Sequence, residues 1–227
     1  MMDAVEAPGT RLAWIVSVID RSDPSKAGDY PAISHNLFYR FEAAGRARAP
    51  QYGDVQSRVA GSGVVQWVST MEYVDLASAR EYYTAPEWLA TADLRAAAYD
   101  RTIYVVLSRV VRDSPVDYAS EIKVGERDMM ASKTWMVALA RADAEASVDD
   151  LASALASRKV EVLLDGDVVD FVEGGDDVTR IAMWEFVDLA TAENHVDLVP
   201  RVGPTVYLVS PGAIMQRLQD DRKSEAL

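Results

Sequence analysis

Cysteine is absent from the 227 residues, and there are only two histidines and five lysines. Without thiols the chain has no disulfide, no thiolate zinc site, no thiolate-ligated iron–sulfur cluster and no cysteine nucleophile. Positive charge is also scarce. The 23 Lys and Arg against 36 Asp and Glu leave a formal net charge of -13. Neutralising phosphates takes a basic face, so nucleic acid and anionic membrane surfaces are poor partners for such a chain. No apolar run approaches the roughly 18 residues of a membrane span, and the start of the chain, Met1 to Thr10, carries acids and no apolar core, unlike a signal peptide. A cytoplasmic protein is the expectation. A Gly-rich phosphate loop, a Gly-x-Ser-x-Gly elbow and a clear set of metal ligands are all missing, so neither a nucleotide nor a metal is expected. The acids at 143–150 and 165–177 lack calcium-loop spacing and read as solvated loops and helix ends.

What is present is an ordinary globular composition, with 49% hydrophobic and 26% charged residues, which excludes wholesale disorder. Arginine far outnumbers lysine and alanine is abundant, the composition of a GC-rich bacterial genome. An internal repeat organises the chain. Glu72-Tyr73-Val74-Asp75-Leu76-Ala77-Ser78-Ala79 matches Glu185-Phe186-Val187-Asp188-Leu189-Ala190-Thr191-Ala192. Two shorter matches fall in the same order: Ala13–Val16 with Thr134–Val137, and Thr102–Val106 with Thr205–Val209. Duplication of a unit of about 100 residues is the expectation. It places a first unit at 1–111, a linker at 112–131, a second unit at 132–216 and a polar tail at 217–227.

Periodicity then reads each unit as β-α-β-β-α-β, the ferredoxin-like order, in the α+β class. In the first unit, strands are expected at Leu12–Ile19, Val55–Ala60, Val64–Tyr73 and Ile103–Val110. Ile33, Leu37, Phe38, Phe41 and Ala44 mark one helix. Asp75 caps another, which Pro86 breaks before a last segment from Glu87 to Tyr99. In the second, strands fall at Thr134–Ala140, Val168–Val172, Val178–Val187 and Val206–Val209. Val148, Leu151 and Leu155 mark a helix, and Asp188 caps one that stops at Pro200. Val160–Leu164 has no place in this scheme, and Asp165-Gly166 after it reads as a hairpin turn or a loop. Two helices cover one face of a four-stranded sheet, so the other face needs burial. The expectation is two sheets facing each other within one chain, an intramolecular α+β barrel, with a homodimer of the whole chain left open.

The run Glu72-x-x-Asp75-x-x-x-Ala79-x-x-Tyr82-Tyr83-Thr84-Ala85-Pro86-Glu87-Trp88 resembles the strand and helix signature of the antibiotic-biosynthesis-monooxygenase family, within the dimeric α+β barrel superfamily. The second unit keeps Glu185, Asp188, Ala192 and a histidine, His195, but lacks the Pro-aromatic continuation. In the first unit Tyr82 or Tyr83 stands where that family usually has histidine. The resemblance implies a tailoring enzyme of secondary metabolism, oxygenating or cyclising an aromatic or polyketide substrate without a cofactor. It equally admits a haem protein of the same fold with His195 as axial ligand, or a non-catalytic ligand-binding or assembly protein.

On this reading His195, His35 and Tyr82 are the candidate catalytic residues, histidine being the natural base near neutral pH. The partner is a small hydrophobic or aromatic molecule. Trp67, Tyr73, Tyr83, Trp88, Arg95, Trp184 and Phe186 are its candidate binding residues. Trp67, Met71 and Tyr73 alternate onto one strand face, and the repeat sets Trp184 and Phe186 at the matching positions. If that face meets the helices, these rings suit a flat aromatic ligand; the plainer alternative is core packing. Trp14 and Trp135 recur at one repeat position, which favours a structural role. Glu72 and Glu185 recur as well, as a carboxylate pair or as strand-end contacts.

Overall fold

The computed structural model describes residues 10–112 and 133–210. The first half runs β1 (Ala13–Ser22), α1 (Tyr30–Ala43), β2 (Ala47–Ala60), β3 (Trp67–Tyr73), α2 (Leu76–Tyr83), α3 (Pro86–Leu89), α4 (Ala92–Ala98) and β4 (Tyr99–Ser108). The second runs β5 (Thr134–Arg141), α5 (Glu145–Ser157), β6 (Glu161–Glu173), β7 (Val178–Phe186), α6 (Leu189–Glu193) and β8 (Thr205–Ser210). All eight strands form one closed antiparallel barrel in the order β1-β3-β2-β8-β5-β7-β6-β4. Within each half the strands follow the same order, fourth-first-third-second.

The two halves do not face each other as separate sheets. They join edge to edge, β2 with β8 over Asp54–Ala60 and β4 with β6 over Ile103–Ser108. Joining both pairs of edges gives every strand a neighbour on each side, and one interior then buries the inner faces of both halves. That interior holds Trp14, Val16, Val18 and Tyr104 from the first half and Trp135, Val137, Met183 and Tyr207 from the second. The recurring tryptophans thus serve the barrel core. The outer faces carry helices: α1 to α4 over the first half, α5 and α6 over the second.

Local signals set several boundaries. The Asp75 and Asp188 carboxylates each accept the backbone N–H three residues on, from Ser78 and Thr191, both at 2.7 Å. Such a cap contributes about 1 kcal/mol. Pro86 starts α3, where a missing N–H costs nothing. The helix from Asp188 ends at Glu193, short of Pro200, and a 3-10 turn at Val196–Leu198 follows. Tyr99, expected at a helix end, opens β4.

Two strands are longer than periodicity suggests. β2 starts at Ala47, and its pairing with β3 shifts register between Arg48 and Gln51. β6 absorbs Val160–Leu164's unplaced stretch from Glu161 onward, so Asp165-Gly166 is mid-strand and not a turn. Gly166 is there because β4 lies so close: a Cβ would sit 2.6 Å from Val106 Cγ1 and 2.8 Å from the Leu107 carbonyl oxygen. Residues 113–131 of the expected linker, and the tail at 217–227, lie outside the described residues.

Gly61 closes the β2–β8 seam with φ of +81°, and a Cβ there would meet Thr205 Cα at 2.7 Å. Gly61→Ala is expected to cost about 1–3 kcal/mol, from left-handed backbone strain plus that contact. A thermal melt reads it, and an unchanged midpoint would refute this account of the seam.

Candidate functional site

Side chains alternate along a strand, so positions 67, 71 and 73 of β3 and 101, 103 and 105 of β4 turn outward beneath the helices. Helices α1 to α4 bring more rings down onto that face. Tyr30 packs edge-on against Trp88 and Tyr99, at 5.7 Å in both cases. Tyr82 lies 5.1 Å from Trp88 and 5.9 Å from Tyr73. Trp67 continues the cluster to Tyr99 at 6.1 Å and Tyr52 at 6.0 Å. Tyr82 and Tyr73 are fully buried, whereas Tyr52, Trp67 and Tyr99 are half-buried and form the cluster's solvent side.

Two arginines enter this aromatic layer. The Arg95 guanidinium lies 4.2 Å over the Trp88 ring, and that of Arg101 lies 4.8 Å over Tyr99. Their common counter-ion comes from the other half of the barrel. Glu173, at the end of β6, accepts from Arg95 Nε on one oxygen and from Arg101 Nε, at 2.8 Å, on the other. Arg95 also donates to the Trp88 carbonyl and to Thr91 Oγ1 at 2.6 Å. Arg101 donates to the Tyr30 hydroxyl at 3.3 Å. Burial alone would lower the Arg101 pKa, but Tyr30 and Glu173 hold it above its usual value. Glu173 reaches the layer because β6 is bulged: Tyr104 faces Phe171 while the next pair outward joins Ile103 to Glu173.

The equivalent layer of the second half is mostly aliphatic, with Trp184 and Phe186 as its rings and one buried arginine. Strand pairing is in the same register: Tyr52 opposes Ser69 as Asp165 opposes Ala182, and Asp54 opposes Trp67 as Asp167 opposes Arg180. Tyr52 and Trp67 are therefore matched by Asp165 and Arg180. The Arg180 side chain, 2% exposed, binds Asp165 at 2.8 Å and Asp149 at 2.7 Å. Above it pack Met136, Val148, Leu151, Leu155, Trp184 and Leu208.

The residues expected to form one site divide between these layers. Trp67, Tyr73, Tyr82, Trp88 and Arg95 come together in the first half. Tyr83 is at its margin, donating to Asp170 at 3.0 Å. Trp184 and Phe186 lie in the second half and cannot contact a ligand held by the others. His195 stacks on Phe186 at 5.2 Å, with Nδ1 2.8 Å from the Thr191 carbonyl oxygen. His35 is on α1 with Tyr39, 6.2 Å away. His195 therefore belongs to the second half and not to the aromatic layer. Tyr82 shares a hydrogen bond with Ser34 at 2.8 Å, and burial raises its hydroxyl pKa strongly, so it stays protonated and is no base. Glu185 takes Lys133 as partner, and Glu72 lies on β3, on the opposite side of the barrel from β7. Arg101 and Glu173 were not anticipated; the odd-numbered parity it shares with Ile103 and Val105 is the signal that points to Arg101.

His195, the residue that would hold a haem, borders a layer in which Trp184, Phe186 and Val199 are each at most 7% exposed. Among the described residues no three His, Asp or Glu are grouped to hold a metal ion, and no helix is long and apolar enough to cross a membrane. Open concavities indent the surface of the described residues. One, of about 470 Å³, runs between α1 and α2–α3 over Leu37, Phe41 and Pro86, rimmed by the ion pairs Arg40–Glu87 and Arg46–Glu81. Phe41 separates it from Tyr73 and Tyr82, each 6.0 Å from its ring. Another, of about 750 Å³, lies beside Phe171 and the acids Asp143, Asp170, Asp176 and Asp177.

The architecture defines a class: an eight-stranded closed antiparallel barrel with helices packed outside. No protein-family model matches the chain, and no curated protein matches it either. Among solved structures the chain is similar to an anthrone oxidase-like protein, with 11% identity and a TM-score of 0.46 over 88% of this chain and 91% of that one. It is also similar to a mutant chlorite dismutase from Candidatus Nitrospira defluvii, with 13% identity and a TM-score of 0.48 over 90% of this chain and 92% of that one.

Proposed function

We propose that the chain is a cofactor-independent oxygenase of a small phenolic molecule, which it binds in the aromatic layer of the first half. One observation carries this reading. In that half buried Arg95 and Arg101 lie over the faces of tyrosine and tryptophan rings, whereas in the second half Trp184 and Phe186 pack among aliphatic side chains and the buried Arg180 is held by Asp165 and Asp149. Rings in this arrangement offer faces and edges to a flat ligand, and the cations beside them favour its ionised form.

The chemistry needs no bound group. A phenol with a free para position reacts with dioxygen to give a quinone and water: the ring carbon gains one oxygen atom, and the other leaves as water with the hydroxyl and ring hydrogens. The phenolate is the reactive form, so the protein's contribution is to strip water from it, orient it and stabilise its charge. Arg95, stacked on Trp88, supplies positive charge. Tyr82 retains its proton and can only hydrogen-bond. The phenolic proton passes to solvent through the half-buried Tyr52–Trp67–Tyr99 side.

The test is oxygen uptake with 1-naphthol. Expected is consumption of one dioxygen per 1,4-naphthoquinone formed, at a rate that rises with pH as the phenol ionises. Trp88→Ala should lower the rate about tenfold or more by removing the face under Arg95. No uptake above the enzyme-free rate across a panel of naphthols and anthrones would refute the proposal.

A further inference from the structure

Charge in the aromatic layer does not balance. Arg95 and Arg101, with side chains 5% and 4% exposed, share the single carboxylate of Glu173. Arg95 places its donors on Glu173, the Trp88 carbonyl and Thr91. Arg101 uses Nε and Nη1, but its buried Nη2 has no partner. Trp88 Nε1, on a residue 3% exposed, is a second buried donor without a partner. Both residues flank Tyr30: Trp88 by ring contact, and Arg101 with its guanidinium 5.5 Å over the Tyr30 ring. Buried donors are nearly always satisfied, and a buried cation in excess of its counter-ions is strongly unfavourable. Two vacant donors and one surplus positive charge define what is missing: a compact planar anion set among rings.

We infer that the layer has a carboxylate subsite, so that the ligand is an aromatic carboxylic acid. Its carboxylate takes Arg101 Nη2 and Trp88 Nε1 while Glu173 stays on the Nε atoms of both arginines. Its ring enters past Tyr99 and Trp67, the half-buried side of the cluster. A guanidinium edge matches the spacing of two carboxylate oxygens, and an indole N–H adds a donor that cannot ionise. The inference rests on the reading of this layer as an aromatic site and adds the charged substituent to it. For the oxygenation proposed above, a carboxylate anchored at Arg101 would fix the orientation of the ring that reacts.

The experiment is a calorimetric titration of the whole chain with three probes: 2-naphthoate, its uncharged analogue 2-naphthamide, and acetate. Expected is binding of naphthoate at least about tenfold tighter than naphthamide, and no measurable binding of acetate. Arg101→Met should bring the naphthoate-to-naphthamide ratio to within about twofold, reading out the lost charge-assisted bond. Trp88→Phe, which keeps a ring and loses only the N–H, gives an independent test should Arg101→Met fail to fold, and is expected to weaken naphthoate selectively. Equal binding of naphthoate and naphthamide would overturn the carboxylate subsite while the aromatic site stood. Binding of neither would overturn both. Acetate binding as tightly as naphthoate would make the site one for small anions and refute the aromatic acid.

Discussion

Glu173→Gln is expected to destabilise the protein by about 3–5 kcal/mol, the cost of leaving buried charge without its partner. The glutamine is nearly isosteric but keeps one acceptor oxygen and sets its NH2 against the other arginine's Nε–H, so shape is held while the charge and one hydrogen bond are lost. Arg95 and Arg101 would then be two buried cations with no counter-ion in ion-pair reach among the described residues. Urea denaturation gives the number, and a change below about 1 kcal/mol would mean that the layer tolerates unpaired guanidinium and that Glu173 is incidental. A second variant makes the assignment specific. Adding Arg101→Met to Glu173→Gln should recover part of the loss, because an apolar side chain in that position needs no partner. Aromatic carboxylates should stabilise Glu173→Gln more than the parent, by supplying the missing charge.

The second large effect is expected from Arg180→Ala, again about 3–5 kcal/mol. Here the side chain is almost fully buried and ties three elements together: β6 through Asp165, and α5 through Asp149 and the Glu145 carbonyl, all onto β7. Truncation leaves a void and an unpaired Asp165 carboxylate. The same neighbourhood gives an acid dependence. The Glu145 carboxyl is held below its ordinary pKa, first by the Thr179 hydroxyl and then by Arg109. Its folded value being the lower, its contribution is complete above the unfolded value near 4.5 and disappears as pH falls through the folded value. Denaturation curves at pH 7 and pH 3.5 test this: the parent should lose stability on acidification. Arg180→Ala should lose less, because Arg180 is one of the charges lowering Glu145 and its removal narrows the gap. An equal acid loss in both proteins would detach Glu145 from this network.

Much of the fold is legible in the sequence because its signals are local. The strand–helix junctions at Asp75 and Asp188 need only a carboxylate three residues before an N–H, and alternation in β1, β3 and β5 follows from one face being covered by helices. What escaped reading depends on the partner half. Gly166 looks like a turn because glycine usually is one; only the approach of Val106 and Leu107 shows that it is a strand position with no room for a side chain. Glu173 sits in a Gly-rich acidic stretch that reads as solvated, and a bulge paired against β4 turns it toward two arginines in the other half. The candidate site shows the same division. Strand alternation sets Tyr73 on the outward face with Trp67, where Tyr82 and Trp88 of the covering helices meet it. Trp184 and Phe186 obey the same periodicity and were assigned to the same ligand, although they line the opposite flank of the barrel. Repeat symmetry reveals which positions correspond, not which ones meet.

The two seams have a kinetic consequence. Because β2 is completed by β8 and β4 by β6, the first half leaves the ribosome with two open strand edges, and one of them waits for residues 205–210 before it is covered. The pairing of Asp54 with Ser210 spans most of the chain, so native structure cannot accumulate domain by domain during synthesis. Such a topology makes folding slow and nearly all-or-none, and exposes the nascent chain to edge-to-edge association until its last strand arrives. The high net negative charge is well suited to keep neighbouring nascent chains apart during that interval.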